Sequence, residues 1–438
     1  MAQAETTRVL GLEGEIRLVE PIRLALVGCG AHAYRNVLPP LRQIPEAVLV
    51  GFCDLNEEKA RLYARAAGAD VTWFGYVEDM LTRAELDAVL VVVGFDDDSG
   101  DPLYPEVVEP ILRRGVPVWM EKPPASDRTG VRRMIAAAEE GGTFGQVGFK
   151  KVFSPGVNRL KQLTGLPEFG RVTQYMYSYD VDLPAQVGNL RSPSGRRFLD
   201  DFVHVASVID HLFGVPAAVQ TVRGPSGAGF VVNQHANGVV GVVNLTGESS
   251  GLSPVERLEV VGKGANAVLE NGAYLRYYPP GNRGPYGTST SYLPLVTESS
   301  PADAGPRVWE PEFSLGNLHG GSHFVQGYYH QMAHFVESVR ARTPPARCGL
   351  DAALRVMTYM DTLVGGFGDW RQVAGEPPPA YEHVVDTPQA FACPATDRLL
   401  TLKDGWNYVC RDCGKTRSGQ DRSPFTCEGD GRSAVGAQ

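Results

Sequence analysis

Short, unbroken apolar runs alternate with helix-like stretches over the first third of the chain. The runs cover residues 24–27, 47–52, 88–93 and 117–120, and helix-like stretches cover residues 57–67 and 104–114. A strand that is apolar on both sides needs a helix layer over each face, which is the pattern of a parallel sheet. Residues 21–150 therefore predict a doubly covered α/β domain with right-handed crossovers. Residues 1–20 carry charges throughout and read as a tail or a short extra element.

Beyond residue 150 the period changes to two. Residues 171–180 alternate and place Tyr175, Tyr177 and Tyr179 on one face. Residues 230–234 and 239–245 flank Asn237-Gly238, and residues 267–269 and 274–278 flank Asn271-Gly272. Asn-Gly supplies the two positive-φ residues of a tight hairpin turn, so this region predicts an open, largely antiparallel sheet. Residues 279–320 are rich in Gly, Pro, Ser and Thr and read as loop, with helices expected near 323–341 and 350–365. The expected organisation is α/β plus α+β. A second domain spans 151–373, a proline-rich linker 374–390, and a small cysteine-rich module 391–430.

With 438 residues the chain is too long for one core. Its formal net charge of −9 argues against nucleic acid or an anionic membrane surface as partner, since both need a basic footprint. No apolar run reaches the ~18 residues of a membrane span, and the N-terminus lacks the apolar core of a signal peptide. A cytoplasmic location is the default expectation.

The candidate chemistry begins at the first strand. Gly28-Cys29-Gly30-Ala31-His32-Ala33 is a G-x-G-x-x-A loop between a strand and a helix. Gly28 permits the turn, Gly30 lets backbone approach a pyrophosphate, and a small residue at Ala33 lets helix and strand pack. Asp54 follows the second run, where a carboxylate would bind ribose hydroxyls and repel a 2′-phosphate. NAD is thus favoured over NADP. Glu121-Lys122-Pro123 ends the fourth run, at the sheet edge where such cofactors lie. A lysine held there could have its affinity for a proton lowered and take part in proton transfer. Asp200 and His204 are spaced i, i+4 on an amphipathic helix, so a carboxylate could fix the imidazole tautomer and raise its basicity.

The ordered combination resembles the Gfo/Idh/MocA oxidoreductases. It comprises G-x-G-x-x-A, an acidic residue after the second strand, Glu-Lys-Pro, and D-x-x-x-H before Leu212-Phe213-Gly214. Gly148-Phe149 with Phe153 and Pro155 also matches, as do residues 258–262, 269–272 and 334–339. The resemblance covers roughly residues 21–368. It implies a Rossmann domain whose cofactor contacts are Gly28, Cys29, Gly30, Ala31, His32, Ala33, Asp54, Glu121 and Lys122. It further implies catalysis by Lys122, Asp200 and His204, with hydride transfer between nicotinamide and a carbinol carbon of a sugar, cyclitol or related polyol. A homo-oligomer is implied, because sheets in that family often pair between subunits. A redox-neutral epimerase, lyase or glycosidase of the same family, or a non-catalytic scaffold, would use the same parts.

Three features depart from that pattern. The usual Thr-Pro after the third strand is replaced by residues 93–100, with Asp96-Asp97-Asp98, either a loop beside the nicotinamide or a solvated acidic turn. Ser194-Gly195-Arg196-Arg197-Phe198 stands where glycines are usual. With Arg191, Lys150 and Lys151 it would form a cationic pocket for a carboxylate or phosphate, with Lys150 and Arg197 as candidate substrate contacts beside Asp200 and His204, or else its arginines face solvent. Ser207 replaces an aspartate often found three residues after the histidine.

Cys393, Cys410, Cys413 and Cys427 crowd the end of the chain. An aromatic followed by C-x-x-C-G is a zinc-knuckle signal, and the stretch is similar to short zinc-ribbon modules, although Thr396 stands in place of one cysteine. The alternatives are a structural zinc held by all four thiolates and four free thiols. Metal analysis of the purified chain is expected to find about one zinc per molecule; no metal together with four titratable thiols in this segment would remove the zinc site.

Overall fold

The structure is a computed structural model. It describes residues 7–10, 16–68, 70–247, 249–280, 306–311, 321–373, 401–404, 407–409 and 416–418. The chain forms two compact units, Met1–Pro378 and Pro379–Gln438. In the second, strands Thr401–Asp404, Asn407–Val409 and Thr416–Ser418 form an antiparallel sheet. The four clustered cysteines lie outside the described residues.

The larger unit opens with an antiparallel hairpin of Thr7–Leu10 and Ile16–Val19, so the N-terminal stretch is the short extra element rather than only a tail. A parallel six-stranded sheet follows, built from β1 (Ile22–Val27), β2 (Ala47–Cys53), β3 (Thr72–Phe74), β4 (Ala88–Val91), β5 (Val118–Met120) and β6 (Gly145–Val147). Its order is β3-β2-β1-β4-β5-β6, with every pairing parallel. The order reverses beside β1, which opens a crevice at the carboxyl edge between β1 and β4. Leu24, Ala25, Leu26, Val89, Leu90 and Trp119 are fully buried, as strands covered on both faces must be. Strands β3 (Thr-Trp-Phe) and β6 (Gly-Gln-Val) escape a hydropathy reading because each is three residues long and, unlike β5, breaks its apolar run with a polar residue.

The second sheet has nine strands: β7 (Val172–Tyr179), β8 (Ala218–Arg223), β9 (Gly229–Gln234), β10 (Val240–Leu245), β11 (Glu256–Gly262), β12 (Asn266–Glu270), β13 (Tyr274–Tyr278), β14 (Arg307–Trp309) and β15 (Trp370–Gln372). They run in the order β14-β13-β12-β11-β7-β10-β9-β8-β15. All pairings are antiparallel except β7 with β10. Alternation decides the two faces. Tyr175 and Tyr177 are buried, whereas Met176 between them is half exposed on the open face with Val222, Phe230 and Val308.

One helix, Pro193–Phe213, spans the buried face. Ser192 Oγ accepts the Gly195 amide at its start, Pro193 occupies the first turn, and Gly214, at φ 78°, ends it. Phe198 and Phe202 stack on one another at 4.7 Å between centroids, and Val205 and Ile209 are fully buried. This packing fixes the rotation of the helix and so where Asp200, Asp201 and His204 point. The helix expected at 323–341 is instead two pieces, Gly321–Val325 and Tyr328–Ala341. Gly327, at φ 88°, breaks it and brings its backbone against the Lys150 carbonyl, leaving no room for a side chain.

Candidate active site

Gly28 takes φ 94°, and a Cβ there would collide with the carbonyl oxygen of Val92. Gly30 faces open space, so a phosphate can come close to its backbone. Ala33 is fully buried where the helix meets the sheet. That helix opens as a π-helix, Ala33–Val37, before the α-helical turn Leu38–Leu41. Asp54 Oδ2 accepts the Cys29 amide at 2.7 Å and its Oδ1 accepts the Asn56 amide at 2.8 Å. The carboxylate is thus held against the glycine loop at the end of β2. Burial, with Asp54 adding, pushes the Cys29 thiol up to about 12, so the thiol is inert packing in the loop. The residues present fit a dinucleotide: a glycine turn, open space over the second glycine, and an acid beside both.

A cleft of about 660 Å³ is lined by His32, Lys122, Lys150, Lys151, His204 and Tyr328, among others. It joins the carboxyl edge of the parallel sheet to the long helix and to β7 and β11. The Lys122–Pro123 peptide is cis. Lys122 Nζ donates to Asp200 Oδ1 at 2.7 Å and to the Asp200 carbonyl at 3.1 Å. Glu121 is buried; its Oε2 accepts the Lys122 amide and its Oε1 lies 3.2 Å from His32 Nε2. The Asn36 amide is 3.2 Å from His32 Nδ1, an arrangement that puts the ring proton on Nε2, toward Glu121.

His204 differs from expectation. It shares a helix with Asp200, but Asp200 is committed to Lys122, and His204 Nδ1 has no partner among the described residues. Burial, reinforced by Lys122, Lys150, Lys151 and His32, holds the imidazole well below its usual range. The expected rise in basicity is therefore reversed: His204 is a neutral ring facing a cationic cleft. Asp201 lines the cleft wall, whereas Asp200 reaches it through Lys122. Burial and then Asp200 push the Asp201 carboxyl up.

The expected cationic pocket is only half assembled. Lys150 and Lys151 line the cleft. Arg197 is exposed, one turn before Asp201, and lines no part of it. Arg191 is drawn away by Asp101 at 2.8 Å and Asp127 at 3.1 Å. The acidic turn is closed by a bridge between Phe95 and Pro102. Asp96 Oδ1 accepts the Asp98 and Ser99 amides while Asp97 and Asp98 are exposed, which favours the solvated reading.

Sequence reasoning missed Tyr179, Asp201, Glu256 and Tyr328. The first had a signal, as the last member of the alternating tyrosines, and Asp201 was adjacent to a named residue. Glu256 and Tyr328 reach the cleft through tertiary packing, which no local pattern encodes.

Residues 22–149 match the GFO_IDH_MocA family, described as oxidoreductase family, NAD-binding Rossmann fold. Inositol 2-dehydrogenase of Klebsiella pneumoniae is 27% identical over 143 residues, 32% of this chain and 41% of that protein. Inositol 2-dehydrogenase of Burkholderia cenocepacia is 25% identical over 194 residues, 44% of this chain and 55% of that protein. The chain thus spans about half the length of these curated relatives. A dehydrogenase from Chromobacterium violaceum superposes with TM-score 0.62 at 21% identity, covering 78% of this chain and 93% of that one. The WlbA dehydrogenase from Bordetella pertussis, in complex with NADH and UDP-GlcNAcA, gives 0.59 at 17%, covering 80% and 98%. These two likenesses concern the fold.

Gly30→Ala places a methyl group where nothing lies within 4 Å. It is expected to leave the melting temperature of the nucleotide-free protein unchanged and to weaken NADH binding by about tenfold or more, a loss of at least ~1.4 kcal/mol. Unchanged affinity by fluorescence titration would place the pyrophosphate elsewhere.

Proposed function

We propose, from the premise that residues 22–149 are the NAD-binding Rossmann domain of a GFO_IDH_MocA oxidoreductase, that the whole chain is a dehydrogenase acting on a CH–OH group of a sugar, cyclitol or related polyol. The observation that carries this reading is the convergence of Lys122, from the end of the parallel sheet, and His204, from the helix of the second domain, on one cleft. Bound NAD would supply the hydride acceptor. Gly28, Gly30 and Asp54 would hold it, with Glu121 and His32 beside the loop.

The protein's own part is proton handling and positioning. His204, kept neutral by burial and surrounding cations, can take the proton of a substrate hydroxyl. Lys122 would donate to the same oxygen, aimed by its two bonds to Asp200. Asp200 is on this reading a positioning residue. The Asp54 carboxylate against the glycine loop favours NAD over NADP by repelling a 2′-phosphate. The half-exposed apolar residues of the open sheet face, Met176, Phe230 and Val308 among them, support a homo-oligomer formed through that face.

Turnover of a polyol and cyclitol panel, followed as net NADH formation, separates this reading from a redox-neutral reaction. Lys122→Ala is expected to lower kcat at least ~100-fold while leaving NADH affinity within a few-fold; equal loss of both would remove Lys122 from the chemistry. Asp54→Ala is expected to relax discrimination against NADP, as measured by kcat/KM with each cofactor. An unchanged ratio would mean this carboxylate does not read the ribose.

A further inference from the structure

Three ammonium groups line the cleft, and two are already neutralised. Lys122 pairs with Asp200 and Lys151 with Glu256, at 2.7 and 2.6 Å. Lys150 has no carboxylate partner among the described residues. Its Nζ donates to Gln326 Oε1 at 3.0 Å and sits 4.5 Å over the Tyr328 ring. The carboxylates around the cleft are engaged elsewhere: Glu121 by the Lys122 amide and His32, Glu256 by Lys151 and the Tyr177 hydroxyl, and Asp180 by the Thr246 hydroxyl and the Ser249 amide. Asp201, in the same cleft wall, feels Lys122, Arg197 and Lys151, and burial and Asp200 push its carboxyl up. A half-buried ammonium beside another ammonium loses hydration, and the fields of Glu121 and Glu256, both bonded elsewhere, restore only part of it. Burial and then Lys151 accordingly bring Lys150 down to about 8.

We propose that the cleft takes a substrate bearing an anionic group, a carboxylate or a phosphate ester, seated on the Lys150 ammonium between Gln326 and Tyr328. This deepens the dehydrogenase reading, on which it rests for the place of the reacting carbon. A half-buried ammonium with no carboxylate bonded to it gains from an incoming anion, because part of its desolvation cost is met before binding. The same anion offsets one of the charges that hold His204 down, so the bound substrate makes the imidazole a better proton acceptor. A neutral polyol would leave both effects in place.

The test is calorimetric titration of the full chain, with and without NADH, using D-gluconate, D-glucose 6-phosphate and D-glucitol. At neutral pH one of the two anions is expected to bind at least ~10-fold tighter than glucitol, and which one does so tells carboxylate from phosphate. Lys150→Arg should keep the preference and Lys150→Met should abolish it; a residue needed only to shuttle a proton would not be rescued by arginine. The preference should fade as pH rises through and beyond about 8, where the ammonium is lost. Lys122, Lys151, His32, His204, Asp180, Asp201, Glu256, Tyr179 and Tyr328 face the same space, with Glu121 buried behind it, and the Lys150→Met profile separates their titration from that of Lys150. Equal binding of all three probes, binding of none, or a preference that survives in Lys150→Met would overturn the proposal. An anion preference that appears without any NADH binding would instead sink the dehydrogenase reading and leave this one standing.

Discussion

The cleft depends on what Lys122 does with its three protons. Its ammonium bonds both the carboxylate and the backbone carbonyl of Asp200, and so joins the end of β5 to the helix that spans the second sheet. The Lys122 side chain is 13% exposed and that of Asp200 45%, so the pair stands at a mouth, dry on one side and wet on the other. Such a pair adds little to stability by itself. Its effect is geometric: it spends the carboxylate that could have served His204 and aims the amine along the cleft. Pro193, the Ser192 cap and the Phe198–Phe202 stack hold the helix in the rotation that makes the bond possible.

A second consequence is electrostatic. With Asp200 committed, the buried imidazole of His204 faces Lys122, Lys150 and Lys151 with no acid bonded to it among the described residues, and burial and those charges hold it well below its usual range. A neutral ring among cations can accept a proton only if negative charge arrives with the substrate or develops in it, since a low-dielectric cleft magnifies the cost of adding another positive charge.

How much of this was legible in the sequence follows from the range of each interaction. The glycine loop, Asp54 and Glu121-Lys122 sit on strand ends within one domain, where spacing along the chain fixes spacing in space. The Asn-Gly hairpins were legible for the same reason: β9–β10 and β12–β13 form, with both residues at positive φ at Asn271-Gly272, whereas at the other turn only Gly238 is and the loop is longer. The i, i+4 spacing correctly placed Asp200 and His204 on neighbouring turns, but it could not say that a lysine 78 residues earlier would claim the carboxylate. Arg191 was drawn toward the glycine-poor loop by proximity in sequence, yet Asp101 and Asp127 hold it outside the cleft. The parallel pairing of β7 with β10 was hidden because a strand's alternation looks the same whichever way its neighbour runs.

The proposed dehydrogenase chemistry requires the nicotinamide ring to lie where Lys122 and His204 converge. A crystal structure of the chain with NAD bound tests that most directly. The account predicts ring density within hydrogen-bonding reach of one water from both Lys122 Nζ and His204, with the pyrophosphate over Gly30. A nicotinamide ordered outside that cleft, with Lys122 and Asp200 still bonded and His204 facing only solvent, would contradict it.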